Sequence, residues 1–184
     1  MLDVGGFWVL GDWDESIPPD DKPIIRLAPH PMVFGTGTHV TTRTILSKLH
    51  DLILPNMTVL DVGAGTGIVL FAAGRLGADK LIAVEQSEDA IEALVTNSKT
   101  NGLNLDIRRG LWEEVTVGRC DLGICNLGGE TTLLDVLARI DAATLLLVWQ
   151  RERPVVEATM VANGWRELER VNLNGDTLSV LERA

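Results

Sequence analysis

From Met57 to the C-terminus the chain switches repeatedly between short continuous apolar runs and stretches in which apolar residues recur every three or four positions. That alternation predicts parallel βαβ units, because a strand buried on both faces reads as a run and a covering helix shows one apolar face. Strands are predicted over 58–62, 81–85, 105–108, 121–125 and 144–149, and helices over 67–76, 131–140 and 154–163. A further helix is expected to start at an N-cap, Ser87, with Glu88 and Asp89 in its first turn, and to end at Asn101-Gly102. Segments 165–173 and 177–182 flank Asn174-Gly175-Asp176, and Asn-Gly between two apolar runs predicts an antiparallel hairpin. The expected fold is therefore α/β and Rossmann-like, a mostly parallel seven-stranded sheet with a C-terminal antiparallel hairpin and helices on both faces.

The first third is patterned differently. Residues 1–33 hold Trp8, Trp13, the acidic and proline-containing stretch 12–23 and then Ile24-Ile25-Arg26-Leu27, a lead-in segment with one or two short strands. Turn-rich Phe34-Gly35-Thr36-Gly37-Thr38-His39 follows, and Ile45, Leu46, Leu49, Leu52 and Ile53 then fall on one face of an amphipathic helix over 41–54. At 184 residues the sequence suits one domain, 34–184, preceded by that lead-in.

Composition narrows the class. No apolar run approaches the roughly 20 residues that span a bilayer, and the N-terminus has no basic segment leading into an apolar core, so a cytoplasmic location without membrane insertion is expected. Sixteen Lys and Arg against 26 Asp and Glu give a formal charge of -10, which argues against broad nucleic-acid binding. The acidity either serves solubility or steers a basic protein partner toward the surface. Cys120 and Cys125, the only cysteines, lie too far apart along one strand to bond to each other and are expected as buried thiols, with no metal cluster.

The chemistry sits where the first strand enters a helix. Asp61-Val62-Gly63-Ala64-Gly65-Thr66-Gly67 offers a loop that a ligand can approach closely, because Gly63, Gly65 and Gly67 carry no side chain. Glu85, 18 residues past Gly67 at the end of the next strand, stands near the offset of about 20 at which a carboxylate grips ribose hydroxyls in nucleoside-binding folds. The G-x-G-x-G spacing differs from the G-x-G-x-x-G that holds a pyrophosphate on a helix N-terminus, which favours a nucleoside cofactor lacking phosphate. No Walker lysine, nucleophile elbow or Cys/His metal cluster is present.

The sequence resembles the class I S-adenosylmethionine (SAM)-dependent methyltransferases and, within them, the ribosomal protein L-eleven methyltransferase family (PrmA). The likeness rests on Phe34-Gly35-Thr36-Gly37-Thr38-His39-Val40-Thr41-Thr42, the glycine loop, Ala83-Val84-Glu85, the helix end from Asn97 to Gly102, Asn126 and the hairpin. It implies SAM as cofactor, contacted by Thr42, Gly63, Glu85 and Asn126, with Thr36, Gly37 and His39 shaping a loop over its methionine end. Asp61, Gly65 and Gly67 belong to the same cradle, and Trp112 either stacks on the adenine or packs in the core. Asn126 and His39 are the candidates at the reacting end, with His39, Glu130 or water taking the acceptor's proton.

Departures from the family bear on the acceptor. Glu85 stands where the family usually has Asp, and Asn126-Leu127 is followed by Gly128-Gly129, which either widens the acceptor pocket or starts the next helix. The family's separate N-terminal recognition domain is expected to be absent. Three readings stay open: a protein N-methyltransferase for lysine or α-amines, a small-molecule methyltransferase, and a SAM-binding module without catalysis.

Overall fold

The computed structural model describes residues 1–28, 30, 32–127, 130–150 and 154–184, with the backbone alone at 130 and 131. Two sheets form the molecule. The smaller contains β1 (Leu2–Val4), β2 (Phe7–Gly11) and β3 (Ile24–Leu27), with β2 antiparallel to β1 and parallel to β3. Where the sequence suggests one or two strands there are three, because β1 is only three residues long and leaves no alternation to read.

The larger sheet contains β4 (Thr58–Val62), β5 (Lys80–Glu85), β6 (Asp106–Arg109), β7 (Cys120–Cys125), β8 (Ala142–Gln150), β9 (Trp165–Leu173) and β10 (Asp176–Arg183). Its order is β6-β5-β4-β7-β8-β10-β9, and β10 runs antiparallel to both neighbours while the remaining pairs are parallel. The chain builds outward from β4 in one direction through β5 and β6, then returns to place β7 and β8 on its other side. Such a reversal opens a crevice at the carboxyl ends of the flanking strands, where ligands bind in open α/β sheets.

Helices α1 (Val40–Leu52), α2 (Ile68–Arg75), α3 (Glu88–Asn101), α4 (Glu130–Arg139) and α5 (Pro154–Ala162) cover the two faces. The α3 boundaries follow from local chemistry: the Ser87 side chain accepts from Ala90 N–H, two acids complement the helix dipole, and Gly102 closes the helix at φ +63°. Among the described residues no helix is long and apolar enough to cross a membrane.

One core layer joins Ile45, Leu49, Leu70 and Phe71 to Phe7 and Ile25, so the small sheet shares the core of the large one. The opposite layer gathers Leu137, Ile140, Trp149, Val156 and Trp165. Cys120 and Cys125 are buried free thiols, both pushed up to about 12 by burial first and by nearby carboxylates second.

Two asparagines on α3 fasten the small sheet. Asn101 Oδ1 accepts from Arg26 N–H at 2.9 Å and its amide donates to Arg26 O at 2.7 Å, so the side chain pairs with β3 as a neighbouring strand would. Asn97, fully buried, accepts from Ala28 N–H at 2.7 Å and donates to Thr66 O at 2.9 Å, linking the lead-in to the glycine loop.

Candidate functional site

β4 ends in the glycine loop, and the chain there is held by its neighbours' backbone. Gly63 N–H donates to Val84 O at 2.8 Å, and Gly65 N–H donates to Glu85 Oε2 at 3.0 Å. Gly63 has φ +76°, and a Cβ there would lie 2.1 Å from Leu127 Cδ2. At Gly65, with φ +55°, a Cβ would meet the Phe34 carbonyl oxygen at 2.5 Å. Both positions require glycine, for a left-handed conformation and for close approach.

The Phe34–His39 loop is clamped onto this cradle. Thr66 donates twice to it, from N–H to Phe34 O at 3.0 Å and from Oγ1 to Gly35 O at 2.6 Å. His39 then starts α1: its Nδ1 accepts from Thr41 N–H and lies 2.8 Å from Thr41 Oγ1, and its ring meets Phe34 edge-on. Capping in this geometry uses the Nδ1 lone pair as acceptor.

Between the two loops and the carboxyl ends of β5, β7 and β8 lies a cleft of about 420 Å³. Gly63, Gly65, Glu85, Asn126 and His39 all line it, so five of the residues named from sequence converge on one site. Glu85 is buried and its Oε1 accepts from Gln86 N–H at 2.8 Å and Ser87 N–H at 3.0 Å. A carboxylate has about four acceptor positions, so Oε2, used once, keeps capacity for a ligand hydroxyl.

Asp61 sits beneath the loop, 3 % exposed. Burial first and the neighbouring Glu85 charge second push its carboxyl up to about 7. It is a buried support beneath the cradle and does not line the cleft.

Other predicted positions stand elsewhere. Thr42 is buried in α1, and Thr41, one helical step of 100° away, lines the cleft in its place. Thr36 faces a separate apolar hollow of about 500 Å³ beside Trp13 and Thr66, where its Oγ1 is 3.0 Å from that of Thr38. Gly37, at φ +85°, is a packing position against Ile68 and Val4, and Gly67 caps α2 against Phe71 and Leu94. Trp112 borders a side pocket of about 90 Å³ that shares Gly63, Glu85 and Leu127 with the cleft. Its ring is buried in the core with Leu133 and Val136, and Nε1 is buried without a hydrogen-bond partner. The Gly128-Gly129 feature lies outside the described residues, as does the side chain of Glu130.

Sequence reading missed the far wall, built by Leu133, Val148, Trp149, Gln150 and Asp176. Only Asp176, directly after the Asn-Gly turn, had a local signal.

The family model for ribosomal protein L11 methyltransferase (PrmA) matches residues 2–144. A ribosomal protein L11 methyltransferase of Symbiobacterium thermophilum is 36 % identical over 129 residues, covering 70 % of this chain and 42 % of that protein. One from Thermotoga maritima is 34 % identical over 166 residues, covering 86 % of this chain and 62 % of that protein. The chain thus spans less than two thirds of the length of these relatives. The crystal structure of a ribosomal protein L11 methylase from Lactobacillus delbrueckii superposes with a TM-score of 0.82 at 25 % identity, covering 97 % of this chain and 95 % of that one. Magnesium protoporphyrin IX methyltransferase from Synechocystis, solved with bound SAM, shares the fold, with a TM-score of 0.66 at 17 % identity and 78 % of each chain covered. With the family model covering most of its length, the chain belongs to the ribosomal protein L11 methyltransferase family.

Proposed function

We propose that this chain is a SAM-dependent methyltransferase that transfers a methyl group to an amine of a protein, with ribosomal protein L11 as its substrate, in the cytoplasm. The observation that carries this reading is the cradle itself: two glycines that admit no side chain, closed by a carboxylate at the carboxyl end of the next strand. The residues fit a nucleoside bearing an amino-acid tail. Glu85 Oε2 would accept from the ribose, the backbone at Gly63 and Gly65 would pass beneath the tail, and the side pocket beside Gln86 and Leu111 would take the base. SAM would supply a methyl group already activated by a sulfonium charge.

The protein's task is then orientation, which places an acceptor nitrogen about 3–3.5 Å behind the methyl carbon. Asn126, at the carboxyl end of β7 and lining the cleft, is suited to hold that nitrogen through its side-chain oxygen. His39 uses Nδ1 to cap α1, and the acceptor's proton leaves to water, which frees the nitrogen lone pair for attack on the methyl carbon. A net charge of -10 suits a basic protein partner.

The test is titration of SAM by calorimetry, followed by incubation of methyl-labelled SAM with ribosomal protein L11 and with small amines. Gly63→Arg serves as the control without a cradle. Label in the protein that Gly63→Arg abolishes is the expected outcome. Label confined to small amines would overturn the protein acceptor, and SAM binding without transfer to any acceptor would make this a binding module.

A further inference from the structure

Trp149 stands at the cleft end of β8, 4 % exposed and lining the cavity together with Leu127, Leu133 and Val148. An indole has one hydrogen-bond donor, and here it points away from the cleft: Nε1–H donates to Ser179 Oγ at 2.9 Å. Ser179, fully buried on β10, donates its own hydroxyl hydrogen bond to Glu167 Oε1 on β9 at 2.6 Å. Arg170 holds Glu167 through Nε at 3.0 Å, reaches Glu157 of α5 at 2.7 Å, and sets its guanidinium carbon 5.2 Å from the Trp149 ring centre. The indole is thus fixed at its nitrogen by Ser179 of β10 and over its ring by Arg170 of β9.

Resting on the methyl-transfer reading above, we propose that Trp149 is the wall that selects the acceptor, and that Ser179 and Glu167 are positioning residues acting through it. With its donor committed elsewhere, the indole shows the cleft only apolar ring. Leu127, Leu133 and Val148 complete an apolar passage, while Gln150 and Asp176 supply polar groups in the same lining. Such a passage suits an unbranched alkyl chain carrying a terminal primary amine, whose methylenes pack along the ring. Branched or aromatic acceptors would meet a wall that cannot turn aside. An unfixed indole could rotate into the passage or out of it, so the Ser179–Glu167 relay determines how well the arm fits and leaves the donor end untouched.

The first measurement is the SAM Kd of the parent, Ser179→Ala, Trp149→Phe and the double variant, with melting curves to show that each folds. Ser179→Ala and Trp149→Phe each delete one side of the same hydrogen bond. Each is expected to raise the KM for ribosomal protein L11 about five- to tenfold, with SAM Kd unchanged within twofold. The double variant should be no worse than either single, since both remove one interaction. Glu167→Gln keeps an acceptor oxygen for Ser179 and should stay within twofold of the parent KM.

A second readout needs no turnover. The Trp149 Nε1–H resonance, assigned by its loss in Trp149→Phe, should shift when n-butylamine is added to the protein saturated with S-adenosylhomocysteine. Valine methyl ester, branched beside its amine, should leave it in place. Unchanged KM with no butylamine shift, additive effects in the double variant, or SAM Kd and KM changing together would each overturn the proposal. Failure of the parent to bind SAM would be visible first and would bring down the cofactor reading itself.

Discussion

The two ends of the cleft are built from different parts of the chain. At the end proposed for the methyl donor the contact surface is main chain: Gly63 and Gly65 present bare backbone, Thr66 ties one loop to the other, and Glu85 is fixed by three N–H groups. At the end proposed for the acceptor it is side chain, with Trp149 and Val148 from β8 and Leu133 from α4, and Trp149 is oriented by residues on β9 and β10. A backbone site tolerates little change at its glycines and needs few particular side chains around them. A side-chain site can be rebuilt by substituting one strand. The donor end is therefore suited to one ligand, and the acceptor end to being altered without loss of the first.

Substitutions can test that division. The largest effect is expected at Asp61, which is neutral at low pH in the folded protein because burial raises its carboxyl from 3.8 to about 7. The unfolded chain ionises it near 3.8, so stability is full below that pH, falls as pH rises toward 7, and is level above it. Asp61→Asn, which cannot ionise, should flatten this part of the profile, gaining up to about 4 kcal/mol on the parent between pH 4 and pH 7. Thermal melts at four pH values decide it, and parallel curves for parent and variant would remove Asp61 as the source.

Next in size, Glu85→Ala strips an acceptor from Gly65 N–H and from any ribose. It should weaken SAM binding about 100-fold while Glu85→Gln, keeping one acceptor oxygen, loses less. Calorimetry on the two variants distinguishes a ribose contact from loop support, because equal losses would assign Glu85 to the loop alone.

The smallest expected effect is at His39. As the N-cap of α1, His39→Ala should cost about 1 kcal/mol in denaturant unfolding, whereas His39→Asn, a good cap, should restore stability and keep most of the turnover. If His39 were instead the general base, His39→Asn would lose turnover by about 100-fold or more.

How much of this was legible follows from the same division. The β4–α2–β5 unit was readable because its signals are local: an apolar run, three glycines and an acid at fixed spacing, each with one structural meaning. The hairpin was readable from Asn174-Gly175 alone. Thr41 and Thr42 could not be told apart, since which of two adjacent residues faces a cleft depends on how α1 is rotated against the sheet. Trp149 read only as the end of a strand, because its partners Ser179 and Glu167 are 30 and 18 residues away and meet it only once β8, β10 and β9 pair. Trp112 was readable as a stack on the adenine or as core packing, and its ring is buried in the core.

Asn97 spends its oxygen on Ala28 and its amide on Thr66, so one side chain ties the glycine loop to a segment that precedes it in the chain and lies 69 residues before Asn97 itself. In the language of amide exchange, Ala28 and the glycine loop belong to one opening unit. A ligand that stabilises the cradle must slow exchange at Ala28 as well, by mass action and without touching it. Exchange protection at Ala28, directly after β3, is therefore expected to follow the state of a cleft that the small N-terminal sheet does not line.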